Sequence, residues 1–355
     1  MDRRAIWRWI ALTTSLLIVC GGVFALIITG HTRRIQEPQV QHVPEVPVIT
    51  TEPLLVPRHL DGLPVSPEEA ARAPWAFMID HQVDARPPFG VAFASLVIES
   101  PVEGGITRLM ALFAPTSTLH QIGPIRSARP YFVDWAEGWR AVYAHVGGSP
   151  EALTRIATLG DRFHDANEMA NGAAFWRDAT QVAPHNAMTN GEQMQTLADH
   201  KGFASSTLSV VWHFLENGAT STMLGGVARI SIPYGGSYNV VWKLDKESGL
   251  YVRSVAGRKA VDHDGTSIQS TNVVVIKTDA RILDEKGRLR LRTTGSGDAI
   301  AYRDGNKFVL RWRRTPGEPM RFETVDGNEY LFRSGKTWIE VTTDDITFAG
   351  LEKRS

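Results

Sequence analysis

The distribution of apolar and charged positions first separates the N-terminus from the rest of the chain. Trp9 to Thr29 is a run of 21 residues without a charged side chain. At about 1.5 Å per residue, a helix of this length reaches about 31 Å, enough to cross the hydrocarbon core of a bilayer. Arg3, Arg4 and Arg8 precede the run, so the positive-inside rule places the N-terminus in the cytoplasm. Residues 1–30 are therefore predicted to be a single-pass anchor in the cell membrane, with the C-terminal region extracytoplasmic.

Two alternatives for this segment stay open from the sequence. A cleavable signal peptide has a shorter apolar core with small residues at its cut site, whereas here the apolar run continues past Gly21 and Gly22. A lipid-bearing cysteine follows a small residue, whereas Cys20 follows Leu17-Ile18-Val19. Cys20 is also the only cysteine, which excludes a disulfide within the chain and a thiolate zinc site.

A proline-rich linker follows the predicted anchor. Residues 31–59 contain few large apolar side chains and five prolines, at positions 38, 44, 47, 53 and 57. Such a segment stays extended and semi-rigid, and it would hold the folded part away from the membrane.

Residues 60–200 contain apolar patterns with the period of strands and others with the period of helices. The predicted strands are Trp75–Ile79, Leu96–Ile98, Ile106–Phe113 and Arg140–Val146, and the predicted helices are Tyr131–Trp139 and Ser149–Leu159. Ser149 is a good N-cap, and Pro150 suits the first helical position. Alternating strands and helices favour an α/β layered domain.

Residues 201–355 are predicted to be mostly β. Short alternating runs are separated by the turn pairs Asp264-Gly265, Asp304-Gly305 and Asp326-Gly327, and Asn272–Ile276 is the clearest buried strand. The predicted fold class is α+β: an α/β layered domain and then a mostly β domain, after one transmembrane helix.

The charges differ between these two regions. The formal net charge of the whole chain is zero, so nothing indicates a nucleic-acid partner. Residues 61–200 carry a net charge of −7 with nine arginines and no lysine, whereas residues 201–355 carry +5. Arginine in place of lysine suits planar contacts with carboxylates or phosphates. The opposite signs favour docking of the two regions and a cleft between them.

Several motifs occur in a defined order through both regions. In the first region they are Met78-Ile79-Asp80, Asp84-Ala85-Arg86-Pro87, residues 102–108 (VEGGITR), residues 123–131 (GPIRSARPY), residues 145–150 (HVGGSP), Phe175-Trp176-Arg177-Asp178 and Ala183-Pro184-His185-Asn186. In the second region they are residues 238–245, Gly249-Leu250-Tyr251-Val252-Arg253, residues 272–276, Gly295-Ser296-Gly297 and Gly335-Lys336-Thr337-Trp338-Ile339.

With these motifs the chain resembles the YerB-type lipoprotein family, a bacterial family of unknown function. The resemblance covers about Leu60 to Val341. It implies an extracytoplasmic protein of two domains, and it implies no reaction. The lipid-bearing cysteine of that family has no convincing counterpart here, which favours a membrane span as the anchor.

Carboxylates and arginines form the first candidate site. Paired carboxylates that flank a bond can act as acid and base in glycoside cleavage, and arginines can hold an anionic ligand. A buried network of ion pairs that fixes loop geometry uses the same residue types. The candidates for catalysis are Asp80, Glu99 and Glu103, and those for ligand binding are Arg86, Arg108, Arg126 and Arg129.

The glycine turn before the second helix is another candidate. His145 ends a predicted strand, Gly147 and Gly148 form a turn, and Ser149 begins a helix whose free N–H groups can bind an anion. Ser149 as a nucleophile with His145 as its base is the alternative, and a plain N-cap is the favoured interpretation.

A loop with an aromatic neighbour completes the candidates. His185 can carry protons near neutral pH, and Asn186 follows it in the same loop. Trp176 can stack on a sugar or pack in the core, with Arg177 beside it. No metal or cofactor is expected, because the histidines are scattered and no phosphate-binding loop is present.

Three functions follow from these patterns. The favoured hypothesis is a cell-envelope protein that binds an anionic or glycan ligand, or a partner protein, through an arginine-rich site. The alternative is a hydrolase or transferase that acts on cell-wall polymers through paired carboxylates. The third is a structural assembly factor. The expected partners are the membrane, through residues 9–29, and an envelope polymer or protein.

Overall fold

The computed structural model describes residues 54–203, 212–216 and 226–343, all of which belong to one compact unit. The predicted span at residues 9–29 and most of the predicted linker lie outside these residues. Within them, no helix has the length and apolar character needed to cross a bilayer.

The helices and strands follow the sequence prediction closely in position. The helices are α1 (Pro67–Ala70), α2 (Pro130–Gly138), α3 (Pro150–Leu159) and α4 (Gly191–Lys201). The strands in the first region are β1 (Val56–Pro57), β2 (Pro64–Val65), β3 (Trp75–Asp80), β4 (Leu96–Pro101), β5 (Thr107–Phe113), β6 (Val142–His145), β7 (Asp165–Asn167), β8 (Trp176–Arg177) and β9 (Ala187–Met188).

The last region is mostly β, as predicted. Its strands are β10 (Arg229–Ile232), β11 (Val240–Leu244), β12 (Tyr251–Val255), β13 (Arg258–Lys259), β14 (Gln269–Ser270), β15 (Asn272–Lys277), β16 (Ala280–Ile282), β17 (Leu289–Leu291), β18 (Gly295–Arg303), β19 (Asn306–Arg314), β20 (Arg321–Thr324) and β21 (Thr337–Thr342). The predicted turn at Asp304-Gly305 joins β18 to β19, and both residues have positive φ, as a two-residue hairpin of type I′ requires.

A mixed ten-stranded sheet forms the centre of the unit. Its strand order is β20-β19-β18-β15-β21-β4-β5-β3-β6-β7. The β15–β21, β21–β4, β3–β6 and β6–β7 pairs are parallel. Strands β3 and β5 are buried along their whole length, because both faces of the sheet are covered, and this explains their continuous apolar sequences.

This sheet contains strands from both predicted regions. Strand β21, from the end of the described chain, lies between β15 and β4, and its Glu340 is aligned with Glu99 of β4. The boundary near residue 200 stays a prediction about domains, but the two regions share one sheet.

Different elements cover the two faces of the large sheet. Side chains from β10, β11, β12 and α4 pack on one face, which we call the β face, together with Phe77, Val97 and Trp338. The helices α2 and α3 pack on the other face, which we call the helix face, with Met78 and Met110. The strand alternation therefore decides which polar side chains meet at each face.

Candidate ligand sites at the two faces of the sheet

Most of the candidate site residues lie at the end of β3 and β6, on the helix face. The segment at residues 124–129 runs between these strands, since Arg126 N–H donates to the Met78 carbonyl and Val146 N–H donates to the Arg126 carbonyl. Ligand sites of α/β sheets commonly lie at this carboxyl end. The structure brings together here Asp80, Glu103, Arg108, Arg126, Arg129, His145, Gly147, Gly148, Ser149 and His185.

Asp80 is buried at the end of β3 between two of the candidates. Its Oδ2 lies 2.9 Å from Arg126 Nε and 2.7 Å from His185 Nδ1, and its Oδ1 accepts a hydrogen bond of 3.0 Å from the Gln82 N–H. Arg126 and His185 come from two separate loops, so Asp80 holds both loops against the strand.

Glu103 forms the second ion pair on this face. Its carboxylate accepts from Nε and Nη2 of Arg129 in a bidentate contact, with 2.8 Å from Nε to Oε2. Burial opposes ionisation, but this hydrogen bonding and charge outweigh it and lower the pKa of Glu103 to about 2. Glu103 is therefore held as a carboxylate, the form that pairs with arginine.

Arg108 is buried beside this pair without a carboxylate of its own. Its Nη1 donates to the Ser127 carbonyl at 2.7 Å, and its Nε has no partner among the described residues. Burial, and then the nearby charge of Arg129, lower the pKa of Arg108 to about 10 against the attraction of Glu103.

The glycine turn at residues 145–149 leads into helix α3, with Ser149 as the N-cap that was the favoured interpretation. Ser149 Oγ accepts from the Ala152 N–H at 3.3 Å and caps α3. Both ring nitrogens of His145 are engaged, Nδ1 with the Gly147 carbonyl and Nε2 with Asp165, at 2.7 Å each. His145 is thus not placed as the base of a Ser149 nucleophile.

Trp176, Arg177 and Asn186 lie on a small hairpin next to this site. Trp176 is half-buried and aligned with Met188 across β8 and β9. Arg177 forms an ion pair of 2.9 Å with Glu168 near the surface. The Asn186 carbonyl accepts from the Asp178 N–H, so its backbone has a structural role.

Glu99 lies apart from the other candidate carboxylates, because its side chain points to the β face. It is fully buried, and its Oε2 lies 2.5 Å from Nη2 of Arg253 on β12. Thr107 Oγ1 donates to Glu99 Oε1 at 2.7 Å. Burial opposes ionisation, but Arg253 and then His81 and Thr107 outweigh it and hold the pKa of Glu99 well below its usual range.

His81 completes this buried network. Its Nδ1 lies 2.8 Å from Thr107 Oγ1, whose proton is already directed to Glu99, so Nδ1 is the donor. Burial lowers the pKa of His81 to about 4 despite the attraction of Glu99. The imidazole is neutral at pH 7, and its Nε2 is left as an acceptor.

A second glutamate of the network, Glu340, was not a candidate from the sequence. It accepts from Trp242 Nε1 at 2.7 Å and from the Tyr234 hydroxyl at 2.9 Å. Burial, and then the charge of Glu99, raise the pKa of Glu340 to about 8. Two aligned glutamates thus differ in charge, Glu99 ionised and Glu340 protonated at neutral pH.

A cleft of about 580 Å³ opens beside this network. His81 and Arg86 from the first region line it together with Arg253, Arg258 and Lys259 from the last region. Residues from both regions therefore line one cleft. The apolar part of its wall comes from Val83, Pro87, Pro88, Leu109, Val255, Val261 and Ile268.

Arg86 is the predicted binding residue that lines this cleft. Its guanidinium donates to the carbonyls of His81 and Ser237, at 3.0 and 2.8 Å, and lies 4.6 Å from the centre of the Tyr238 ring. Its Nη2 is buried without a partner among the described residues, as is Nε of Arg253. Burial lowers the pKa of Arg86 from its usual value.

The candidate carboxylates are not arranged as free acids. Asp80, Glu99 and Glu103 each contact an arginine, and a general acid requires a raised pKa instead. Acid–base catalysis by these residues, with His185 assisting, stays a prediction. Within the described part of the chain, no cluster of three or more metal-ligating side chains of His, Cys, Asp or Glu occurs.

The sequence patterns missed the basic side of the cleft. Arg253 lies in a motif of the last region, but its ion pair with Glu99 spans 154 positions and leaves no local signal. Arg258 and Lys259 are exposed on β13, where charged side chains are ordinary.

Comparison with known proteins assigns the family. Residues 60–204 match the N-terminal domain, and residues 230–339 the C-terminal domain, of "Protein of unknown function (DUF3048)". A protein of Bacillus subtilis (strain 168) named "Putative lipoprotein YerB" is 28% identical over 287 residues, which cover 80% of this chain and 86% of the relative. This chain belongs to the YerB-type family.

A crystal structure of a YerB-type protein has the same architecture. The structure of YerB from Bacillus subtilis aligns with a TM-score of 0.71 at 27% identity, and the match covers 80% of this chain and 95% of that one. The family resemblance from the sequence motifs is therefore confirmed.

Proposed function

We propose that this chain is a membrane-anchored extracytoplasmic protein of the bacterial cell envelope. Two observations support the proposal. The Bacillus subtilis relative is named a lipoprotein, and Trp9 to Thr29 is long and apolar enough to serve as an anchor. Protease treatment of intact and permeabilised cells tests it, because an extracytoplasmic folded region is cleaved in cells with an intact inner membrane.

We further propose that the cleft binds an anionic ligand, such as a polymer that carries carboxylate or phosphate groups. The supporting observation is an excess of unpaired positive charge in a concave site. Among the described residues, Arg86, Arg258 and Lys259 form no ion pair, and no carboxylate lines the cleft. The charge of Arg253, in contrast, is matched by Glu99.

The buried N–H of Arg86 strengthens this interpretation. A buried donor without an acceptor costs about 1–3 kcal/mol, and Arg86 Nη2 is such a donor. An anionic group at the base of the cleft would accept from it in a charge-assisted hydrogen bond. The apolar wall excludes water and makes that hydrogen bond stronger than it is at an open surface.

Calorimetric binding to the full-length chain in detergent tests this function. The probes are muropeptides with free carboxylates, poly(glycerol phosphate) and a neutral dextran. We expect salt-sensitive binding of an anionic probe and none of dextran. The double change Arg258→Ser and Lys259→Ser should weaken binding by about tenfold or more, since each lost charge-assisted contact contributes about 1.5–3 kcal/mol.

A matched control separates this site from general surface charge. Arg281 and Arg290 are exposed and aligned on the small hairpin of β16 and β17, and their change to serine removes the same amount of charge. The proposal fails if this control weakens binding as much as the cleft variant does, or if dextran binds as well as the anionic probes.

A further inference from the structure

A second cleft lies next to the one already described. It has a volume of about 790 Å³, which is within the range of ligand-binding clefts. Pro88 lines the first cleft and Phe89 the second, and Val261 and Asp262 are divided in the same way. The His263 N–H donates to the Pro88 carbonyl between the two clefts at 2.8 Å. We call the second one the aromatic cleft, because its lining includes Phe89, Phe93, Phe113, His120 and His263.

Phe93 gives this cleft an exposed aromatic surface. It is 58% exposed, although phenylalanine is usually buried, and it ends the short helical turn of residues 91–93. His263 is also exposed, and its ring stacks on Phe89 with centres 4.0 Å apart and 16° between the planes. Two open aromatic side chains therefore line a single cleft.

Two charged residues of the last region fix the turn that carries Phe93. The carboxylate of Asp262 is buried and accepts from the Val91 N–H at 3.1 Å and from the Ala92 N–H at 2.8 Å. Lys336 Nζ donates to the carbonyls of the same two residues, at 3.1 Å for Val91. These charge-assisted hydrogen bonds hold the backbone of the turn. Little conformational entropy therefore remains to be lost when a ligand contacts Phe93.

Side chains that can form hydrogen bonds line the same cleft. Gln121 Nε2 donates to Asp178 at 2.9 Å, so its Oε1 is oriented and has no partner among the described residues. Glu69 uses Oε2 in the cap of α1, which leaves its Oε1 as an acceptor. Thr118 and His120 are exposed beside them. A sugar ring has an apolar face of C–H groups and a rim of hydroxyls, so it matches aromatic faces that lie next to polar groups.

The charge of the aromatic cleft differs from that of the first cleft. Arg58 is its one basic side chain of the arginine or lysine type among the described residues, and both carboxylate oxygens of Asp61 engage its guanidinium, at 2.9 and 2.7 Å. Glu69 and Asp264 are exposed and form no ion pair within the described ranges. This lining disfavours an anionic ligand, whereas sugar hydroxyls can donate to its carboxylates in charge-assisted hydrogen bonds.

We propose that the aromatic cleft binds the uncharged rings of a straight, β-linked glycan chain. The apolar face of one ring stacks on Phe93, and the hydroxyls on its rim are bound by Gln121 and the exposed carboxylates. A β-linked chain presents flat ring faces along a straight line, which suits a cleft with open aromatic side chains at Phe93 and His263. The proposal does not depend on the function of the first cleft, because other residues and an uncharged ligand are involved.

Calorimetric titration with chitotetraose tests the site, with the full-length chain in a detergent that has no sugar headgroup. We expect binding that changes little with salt, since the ligand is uncharged. Dextran should not bind, because its more flexible linkages lose more entropy when they are ordered. Phe93→Ala should weaken chitotetraose binding by about tenfold. The matched control is Ile282→Ala, which removes an exposed apolar side chain on β16 and should leave the affinity unchanged.

Further variants identify the contact. Phe93→Trp keeps a flat ring and should retain the affinity, whereas Phe93→Leu keeps apolar bulk without a ring and should lose about as much as Phe93→Ala. The first-cleft variant, Arg258→Ser with Lys259→Ser, should leave chitotetraose binding as it is. The proposal is overturned if the wild type does not bind chitotetraose, if dextran binds equally well, or if Phe93→Ala or Phe93→Leu binds as tightly as the wild type. A loss in the first-cleft variant equal to that in Phe93→Ala also overturns it.

Discussion

The two faces of the large sheet hold charge in different ways. On the β face, Glu99 and Arg253 are both buried almost completely, at 0% and 1% exposure of their side chains. On the helix face, the ion pairs are partly open, with 24% exposure for Arg126 and 25% for Glu103. An enclosed pair cannot exchange its partner for a ligand, whereas a half-open pair can.

The difference also concerns what each network connects. Glu99 lies on β4 and Arg253 on β12, so the enclosed pair joins the two regions of the chain across the core. Asp80, Arg126 and His185 all belong to the first region, so the open network fixes loops within it. We infer that the enclosed Glu99–Arg253 pair serves mainly the fold, and that the charges available for binding are those outside it, in the cleft and in the half-open pairs of the helix face.

The largest effect should come from Glu99→Gln. This change leaves Arg253 buried without its carboxylate, and losing one partner of a buried pair lowers the free energy of unfolding by about 3–5 kcal/mol. Urea denaturation followed by tryptophan fluorescence measures it. A loss below about 1 kcal/mol would show that water or another group compensates Arg253, and the contrast between the faces would disappear.

The neighbouring glutamate provides the control. Glu340 is aligned with Glu99, is equally buried, and is protonated at neutral pH because burial raises its pKa to about 8. In Glu340→Gln, the amide oxygen can accept from Trp242 Nε1 and the amide N–H can donate to the Tyr234 hydroxyl. This variant should therefore unfold within about 1 kcal/mol of the wild type at pH 7, although the same chemical change is made a few ångströms away.

The second prediction concerns pH and the same residue. Folding raises the pKa of Glu340 from 4.5 to about 8, so in this range the folded protein holds a proton that the unfolded chain has lost. The contribution of Glu340 to stability therefore falls as the pH rises from about 4.5 to 8, by at most about 1.4 kcal/mol per pH unit. Glu99 does not change this window, because its lowered pKa affects stability only below 4.5.

The cleanest interval for this measurement is pH 6.5 to 8. Burial lowers the pKa of His81 to about 4 and raises that of Asp262 to about 6, so both titrate mainly below this interval. Denaturation curves of the wild type should lose stability across it more steeply than those of Glu340→Gln. Parallel curves would mean that Glu340 is ionised in the folded protein.

The local structure was predictable from the sequence, because strands and helix caps depend on patterns of neighbouring residues. The apolar runs at residues 75–79 and 272–276 are strands of the sheet centre, and Ser149 caps α3 as its position before Pro150 indicates. The placement of Asp80 at a strand end also follows from the pattern, and the clustering of Arg126 and Arg129 there follows from the motif that carries both.

The partners of these residues were not predictable in the same way. The contact of Glu99 with Arg253 depends on how β12 lies over β4, and the neutral state of Glu340 depends on the parallel alignment of β21 with β4. Neither is visible in any short segment. The unpaired state of Arg108 is likewise a property of the assembled site, since its motif also contains a glutamate.

A third and smaller effect is expected for Arg126→Ala on the helix face. It removes one partner of the buried Asp80, while His185 and the Gln82 N–H stay in contact. The free energy of unfolding should fall by about 1–2 kcal/mol, less than for Glu99→Gln, because the site is partly open and Asp80 keeps two donors. Thermal unfolding of Arg126→Ala and Glu99→Gln, measured side by side, shows which change destabilises the chain more. A larger loss for Arg126→Ala would place the structural network on the helix face.

The smallest effect belongs to the most exposed pair of the candidate site. Arg177 is 48% exposed where it meets Glu168, and exposed ion pairs contribute about 0–1 kcal/mol because water and salt screen them. Arg177→Ala should therefore change the unfolding midpoint in urea very little, and any change should shrink at high salt. If Arg177→Ala destabilises the chain as much as Arg126→Ala does, the exposure of an ion pair does not determine how much it contributes to stability. Arg177 would then have to be counted with the network that holds the fold, and the distinction between a closed face and an open one would rest on Glu99 alone.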